Sequence, residues 1–201
     1  MRLLAIETAG RACSIALFEG EQLIASRHEI IGRGHAEALI PWIADLPDGG
    51  RCDTILVGCG PGSFTGVRIG IAAARALGLG WGVPVLGFSS LALVAAGYPS
   101  EAPFLVAVEG GHGELFIQNF TPAPVKPLSP LRSLSPDDAA ALDLPLIVVG
   151  SGAARLVAAR RSGTVEPIDA CAANVLLIDG NERCQPPVPV YGRGADARPM
   201  A

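Results

Sequence analysis

Lysine and histidine are scarce in this chain, and their scarcity excludes several kinds of active site. Lys126 is the single lysine, so the phosphate-binding P-loop, which requires a lysine directly after its last glycine, is not present. The three histidines, His28, His35 and His112, form no HxxxH or HExxH pair and have no acidic residues at ligand spacing. We therefore expect no protein-bound metal.

The chain also has few charged residues, no CxxC pair of cysteines and no long uninterrupted apolar segment. The formal net charge is −4, charged residues make up 17% of the sequence, and no basic cluster occurs, which argues against direct binding of nucleic acid. The five cysteines contain no CxxC pair, as is typical of a reducing cytosol. The N-terminus has no signal-peptide core, and proline, serine and glycine interrupt the uncharged stretch after Arg75. We predict a globular, cytoplasmic protein without a membrane span.

The first half of the chain alternates between strand and helix patterns. LLAIET, ACSIALFEG and QLIASRHEII predict an antiparallel meander over 3–8, 12–20 and 22–31. Helical spacing from 35 to 46 predicts a helix, in which Pro41 should cause a kink or a late start. The pattern continues with a strand over 53–59, a helix over 67–79, a strand over 83–88 and a helix over 89–96. This order is typical of an α/β protein with parallel pairing.

A second, shorter lobe is predicted from about residue 99, which divides the chain into 1–98 and 99–201. FLVAVEG and GELFIQNF indicate a strand pair, and the proline-rich 121–136 indicates an exposed, extended connection. Ser135 as N-cap and Pro136 at the first helical position predict a short helix. Further predictions are a strand over 145–150, helices over 153–161 and 168–178, and an irregular tail over 186–199.

The segment GCGPGSFTGVRIG, residues 58–70, places five glycines between a strand and a helix. Glycine allows a ligand to approach the backbone, and a helix N-terminus attracts anions. However, Thr65 stands where the dinucleotide pattern requires Gly or Ala, and Ser63 lacks the flanking glycines of a nucleophile elbow. Two interpretations stay open: a turn capped by Ser63 or Thr65, or a phosphate contact.

Small residues recur every four positions along the predicted helix after this loop, which places Gly66, Gly70, Ala74 and Gly78 on one face. Such a face lets another backbone come close. Either the chain's own sheet or preceding helix fills this groove, or the helix of a partner does. Arg68 and Arg75 are then either a solvated flank or the charged rim of an interface.

Four segments in this order and spacing resemble the TsaB (YeaZ) family of bacterial tRNA threonylcarbamoyladenosine biosynthesis. They are LLAIETAGRACSIALFEG, HAEALIPWI, GCGPGSFTGVRIGIAAARALGLG and VPVLGFSSLALVA. The likeness covers residues 1 to about 97. Beyond them, GGHGELF and PVYGR are similar to family motifs, although Gly111 stands where the family has an arginine.

The resemblance implies an actin-like, Hsp70-like (ASKHA) α/β fold, in which each of two lobes has a mixed sheet flanked by helices. It also implies a non-catalytic scaffold subunit that binds the related TsaD, a member of the same peptidase M22-like family. TsaD transfers a threonylcarbamoyl group onto an adenosine of tRNA. A TsaE-type ATPase completes the assembly, the free protein is a homodimer, and tRNA is reached only through the complex.

Family members pair through helices of the N-terminal lobe, so the resemblance points to ten interface residues. These are His35, Leu39, Trp42, Gly66, Arg68, Gly70, Ile71, Ala74, Arg75 and Gly78. Ala74→Arg is then expected to abolish pairing while the fold stays intact. The expected cofactor is none, unless ATP or ADP binds at a shared interface. The corresponding phosphate-loop candidates are Glu7, Gly60, Gly62, Ser63, Thr65 and Gly66.

Two other functions remain as alternatives. A small-molecule kinase or ATPase of the actin-like superfamily would use an acidic residue after the first strand, where Glu7 is the sole candidate. An M22-type metallopeptidase would need the Asn-His-x-x-x-His motif that holds a metal in TsaD. Ser89, Ser90 and Val94 occupy that segment here, so we predict neither catalytic nor metal-binding residues.

Overall fold

The computed structural model describes residues 1–192, which form two five-stranded mixed sheets. The first sheet has the strand order β3-β2-β1-β4-β5. Its strands are β1 (Arg2–Glu7), β2 (Ala12–Glu19), β3 (Gln22–Ile30), β4 (Thr54–Gly58) and β5 (Val85–Phe88). β1, β2 and β3 pair as an antiparallel meander, whereas β1, β4 and β5 are parallel. The predicted meander and the parallel pairing are both confirmed.

Three helices accompany this sheet: α1 (His35–Ala44), α2 (Phe64–Trp81) and α3 (Ser90–Ala96). α1 starts at His35 although it contains Pro41, so the predicted late start is wrong; burial of Leu39, Trp42 and Ile43 stabilises the helix despite the missing amide. α2 extends beyond the predicted 67–79 at both ends. Among residues 1–192, no helix is long and apolar enough to cross a membrane.

The second sheet repeats the first, with the strand order β10-β9-β6-β7-β8. Its strands are β6 (Phe104–Glu109), β7 (Leu115–Phe120), β8 (Arg132–Leu134), β9 (Ile147–Val149) and β10 (Thr164–Glu166). Its helices are α4 (Pro136–Ala140) and α5 (Ala153–Arg160). β6 pairs antiparallel with β7 and parallel with β9, as β1 does with β2 and β4. The two halves therefore share one architecture.

One prediction for the second half is wrong, and two strands were not predicted. The proline-rich connection contains β8, which pairs with β7 over three residues, and β10 was not predicted; both strands are too short to show an alternating pattern. The helix predicted over 168–178 is only a 3₁₀ helix over Ala172–Leu177. Short 3₁₀ turns also occur at Pro47–Gly50, Gly111–Gly113 and Asn181–Arg183.

One hydrophobic core joins the two sheets. Buried side chains of the first sheet, such as Phe18 and Phe88, belong to the same cluster as Phe104 and Phe116 of the second. α3 and the 3₁₀ helix over Ala172–Leu177 contribute to this core, so the chain returns to the first sheet after the second is complete. Separate clusters lie between the first sheet and α1 and α2, and between the second sheet and α4 and α5. The predicted boundary at residue 98 stays a prediction.

Candidate functional site

The Gly-rich loop between β4 and α2 is held by its own backbone amides. Ser63 caps α2, because its Oγ accepts a hydrogen bond of 3.2 Å from the amide of Gly66. The amide of Ser63 donates to the carbonyl of Ala9 at 2.7 Å, and the amide of Gly60 donates to Ser90 Oγ at 3.2 Å. These three amides are therefore occupied by acceptors of the protein.

The glycines of the loop are required by close packing. A Cβ at Gly62 would meet the carbonyl of Ala9, and one at Gly66 would meet the carbonyl of Thr8. Gly60 has a φ of 87°, a conformation that favours glycine. The loop is thus folded down onto the turn after β1, which favours the interpretation of a strand-to-helix turn over that of a phosphate cradle.

Glu7, at the end of β1, lies beneath this loop and is 1% exposed. Its Oε1 accepts a hydrogen bond from the amide of Ala9 at 2.5 Å, and its Oε2 accepts one from Ser90 Oγ at 2.7 Å. Gly58 leaves room for the carboxylate, because any side chain there would overlap it. Burial raises the pKa of Glu7, although the hydrogen bonds from Ala9, Ser90 and Thr8 act in the opposite direction.

A cleft of about 1290 Å³ separates the two lobes above the loop. Its apolar floor includes Leu91, Val94 and Phe116, and its rim carries Arg33 and the ion pair between Arg11 and Asp169. Four of the six phosphate-loop candidates line this cleft: Gly62, Ser63, Thr65 and Gly66. Gly60 and Glu7 are buried and do not line the cleft.

The predicted interface residues are mostly inside the first lobe. Eight of the ten are buried: His35, Leu39, Trp42, Gly66, Gly70, Ile71, Ala74 and Gly78. The small-residue stripe faces the chain's own sheet, since Gly70 lies against Thr8 and Val57, and Gly78 against Val85. The assignment of this stripe to a partner's helix is therefore wrong.

Arg68 and Arg75 are the two exposed members of the predicted interface. Arg68 Nε donates to the hydroxyl of Tyr191 at 2.9 Å, and Arg75 Nη2 donates to the carbonyl of Pro187 at 2.8 Å. These contacts between the arginines and the C-terminal segment were not predicted from the sequence. The PVYGR motif was the available signal; its Arg193 lies outside the described residues.

The α3 segment that the resemblance aligns with a metal motif has structural roles here. Ser89 caps α3 through the amide of Ala92, Ser90 binds Glu7, and Val94 lies in the shared core. His35 Nε2 is 3.3 Å from the carbonyl of Ala12, and His112 lies in an exposed turn. Across residues 1–192, no three His, Cys, Asp or Glu side chains come together in a group that could hold a metal ion.

Two lobes of identical strand order, joined by a shared core below a cleft, define an actin-like protein. The family model described as "TsaD: tRNA N6-adenosine threonylcarbamoyltransferase" matches residues 23–123. A tRNA threonylcarbamoyladenosine biosynthesis protein TsaB of Escherichia coli is 38% identical over 124 residues. The chain belongs to the TsaD family, in its TsaB (YeaZ) branch.

The match to the E. coli TsaB covers 58% of this chain and 53% of that protein, about half its length. Other relatives extend the similarity over nearly the whole chain. An uncharacterised protein of Mycobacterium tuberculosis is 32% identical over 99% of this chain and 95% of its own length. The structure of YeaZ from Pseudomonas aeruginosa superposes with a TM-score of 0.80 at 27% identity, covering 94% of this chain and 99% of YeaZ.

Proposed function

We propose that this chain is a non-catalytic scaffold subunit in tRNA threonylcarbamoyladenosine biosynthesis and that it binds a TsaD-type catalytic subunit. A TsaE-type ATPase joins the same complex in the cytoplasm, and tRNA contacts the chain only as part of that complex. Alone, the chain forms a homodimer. The main observation in support of the proposal is that Glu7, the candidate catalytic residue, forms hydrogen bonds within the protein and does not line the cleft.

The position of Glu7 argues against a kinase or an ATPase. An acidic residue that orients a metal-bound water must present its oxygens to the cleft, whereas both oxygens of Glu7 accept hydrogen bonds beneath the loop. The raised pKa of Glu7 further disfavours a charged ligand for a metal. Glu7 is better explained as a structural residue whose hydrogen bonds connect β1, the Gly-rich loop and α3.

The shared core argues for a rigid scaffold. Hinged ATPases close their lobes around a ligand, but here Phe88 and Phe104 pack in one cluster with α3. Arg11, in the turn between β1 and β2, also binds Asp169 through two hydrogen bonds of 2.8 Å. Relative motion of the lobes would disrupt these contacts, so a constant shape is the expected behaviour.

The partner surface that we propose is the exposed side of α1 and α2. Leu79 is 87% exposed and Ile40 is 48% exposed, while Ala72 and Ala76 lie exposed between the ends of α2. Leu79, Ala76 and Ala72 are three or four residues apart and thus share one helix face. An exposed apolar face of this kind is typical of a protein-protein contact. We therefore still propose association through α1 and α2, but through the exposed face of α2 and not through its buried small-residue stripe.

If ATP or ADP binds, we propose that it binds at an interface shared with a partner. The amides of Gly60, Ser63 and Gly66 bind protein acceptors, so this chain offers an incomplete phosphate site by itself. The exposed Ser63 and Thr65 at the mouth of the cleft would then contact a nucleotide whose remaining ligands come from the other subunit.

Reconstitution tests the function. Threonylcarbamoylation of tRNA from an activated threonylcarbamoyl donor is measured with the TsaD-type and TsaE-type subunits of the same organism, with and without this chain. We expect modification only when both this chain and the TsaD-type subunit are present. Modification that does not depend on this chain would contradict the proposal, and phosphoryl transfer to a small molecule by the isolated chain would favour the kinase.

A further inference from the structure

The last described segment, residues 185–192, crosses the edge of the first sheet and the mouth of the cleft; we name it the C-terminal strap. Gln185 forms an antiparallel bridge with Gly87 in the edge strand β5. Both backbone hydrogen bonds of this bridge are present, at 2.7 and 3.1 Å. Further along, the amide of Val190 donates to the carbonyl of Cys59 at 2.8 Å. The strap therefore covers the edge of β5 and continues onto the Gly-rich loop.

Side chains of α2 hold the outer part of the strap. Arg75 binds the carbonyl of Pro187, and Arg68 binds the hydroxyl of Tyr191. The ring of Tyr191 also lies against Phe64, with 5.1 Å between the ring centroids. Gly192 then contacts Phe116 in β7 of the second sheet. The strap thus connects α2 with the second lobe.

The attachment of the strap is polar rather than apolar. Val188, Val190 and Tyr191 are 49%, 43% and 38% exposed, so the strap buries little apolar surface. Prolines at 186, 187 and 189 have no amide hydrogen to donate, which limits pairing with β5 to the single bridge at Gln185. Because single hydrogen bonds stabilise only modestly, segments of this kind open locally while the core stays folded.

We propose that the strap is a reversible cover, which detaches as a unit from an otherwise intact fold. When attached, it occupies the guanidinium groups of Arg68 and Arg75 and the backbone of Gly87. When released, it leaves both positive charges free on the surface of α2 and the edge of β5 unpaired. Both arginines are exposed even with the strap attached, so the strap controls which of their N–H groups are available to an acidic surface and whether the edge of β5 is available to it, whichever function the chain has.

Cysteine labelling in the intact chain tests this inference, because one thiol lies beneath the strap. Cys59 is 3% exposed, and its Sγ is 3.9 Å from the carbonyl of Pro186. Cys13, fully buried against α1 and α2, reports on unfolding of the core, and Cys184 is exposed. Burial raises the pKa of Cys13 and of Cys59 to about 11 each, so both thiols react slowly unless they become exposed.

The native protein is treated with iodoacetamide, and each cysteine is followed by mass spectrometry. Labelling is expected to be fastest at Cys184, intermediate at Cys59 and slowest at Cys13. Arg75→Ala should accelerate labelling of Cys59 about fivefold, the effect of one lost hydrogen bond, and Tyr191→Ala, which also loses the ring contact with Phe64, by at least as much; neither should change Cys13. Arg132→Ala, at an exposed arginine of β8, is the matched control and should change neither rate.

The Arg75→Ala variant also distinguishes release of the strap from a change in the pKa of Cys59. Arg75 lowers the pKa of Cys59, so its loss would by itself slow the labelling reaction. Faster labelling can then only come from release of the strap. Equal rates for Cys59 and Cys13 in the wild type, or parallel acceleration of both in the variants, would overturn the inference.

Discussion

Ser90 Oγ donates a hydrogen bond of 2.7 Å to Glu7 Oε2, across a separation of 83 residues in sequence. The same hydroxyl oxygen accepts the amide hydrogen of Gly60. One serine therefore fastens the end of β1, the Gly-rich loop and the start of α3 to each other. The segment that the resemblance aligns with a metal motif therefore belongs to the structural framework of this chain.

Glu7 should make stability depend on pH. Because its pKa is raised in the folded state, the folded protein binds more protons than the unfolded chain once the pH exceeds about 4.5, the ordinary pKa of Glu. Its stabilising contribution is complete below that pH and is lost as the pH rises through the folded pKa. We expect urea unfolding of Glu7→Gln to lack this loss.

Glu21→Gln, at an exposed position, is the control and should retain the wild-type pH profile. If Glu7→Gln and the wild type lose stability in parallel as the pH rises, burial of Glu7 does not have the consequence described here.

Two glycines of α2 should respond to alanine in opposite directions. A Cβ at Gly66 would overlap the backbone carbonyl of Thr8, whereas one at Gly80 would meet no atom within 4 Å. Gly66→Ala is expected to destabilise by about 2 kcal/mol or more, as overpacking does. Gly80→Ala should stabilise by about 0.5–1 kcal/mol through helix propensity. Chemical denaturation measures both, and equal effects would contradict the proposed packing of the loop.

Ala74 and Ala72 form a second matched pair on α2. Ala74 is fully buried and Ala72 is exposed. Ala74→Arg should now unfold the protein or cost about 3 kcal/mol or more, because it buries an unpaired charge; this replaces the expectation that it would affect pairing alone. Ala72→Arg should keep the wild-type melting temperature. A stable Ala74→Arg variant would show that the stripe does not face the sheet.

Leu79 should contribute to binding of the TsaD-type subunit. Leu79→Asp places a charge in the proposed contact and is expected to weaken the complex by at least about tenfold, or about 1.4 kcal/mol. Leu146→Asp, at an exposed leucine of the second lobe that is 63% accessible against 87% for Leu79, should leave the affinity unchanged. Titration calorimetry distinguishes them, and equal losses for both variants would place the interface elsewhere.

Periodicity and capping signals were sufficient for most of the first lobe, because its strands are long and its helices have clear ends. Ser135 caps α4 as predicted, and Ser63, one of the two predicted candidates beside Thr65, caps α2. β8 and β10 are three residues each and are defined by their neighbours in the sheet, which local sequence does not reveal.

The candidate site was harder to predict for a related reason. Spacing places Gly66, Gly70, Ala74 and Gly78 on one face of a helix, but whether that face meets its own sheet or a partner depends on tertiary packing. The bonds of Arg68 and Arg75 to the strap join positions more than 100 residues apart. The PVYGR motif marks part of the strap in the sequence, but no local pattern pairs the strap with these arginines.

Light scattering after size exclusion tests the central claim most directly. The chain is measured alone and then mixed at micromolar concentration with the TsaD-type subunit of the same organism, with and without ATP. We predict a homodimer of 20.6 kDa chains that is replaced by a peak with the mass of a heterocomplex. That peak should be lost with Ala72→Arg. Two separate, unchanged peaks under both conditions would contradict the scaffold function.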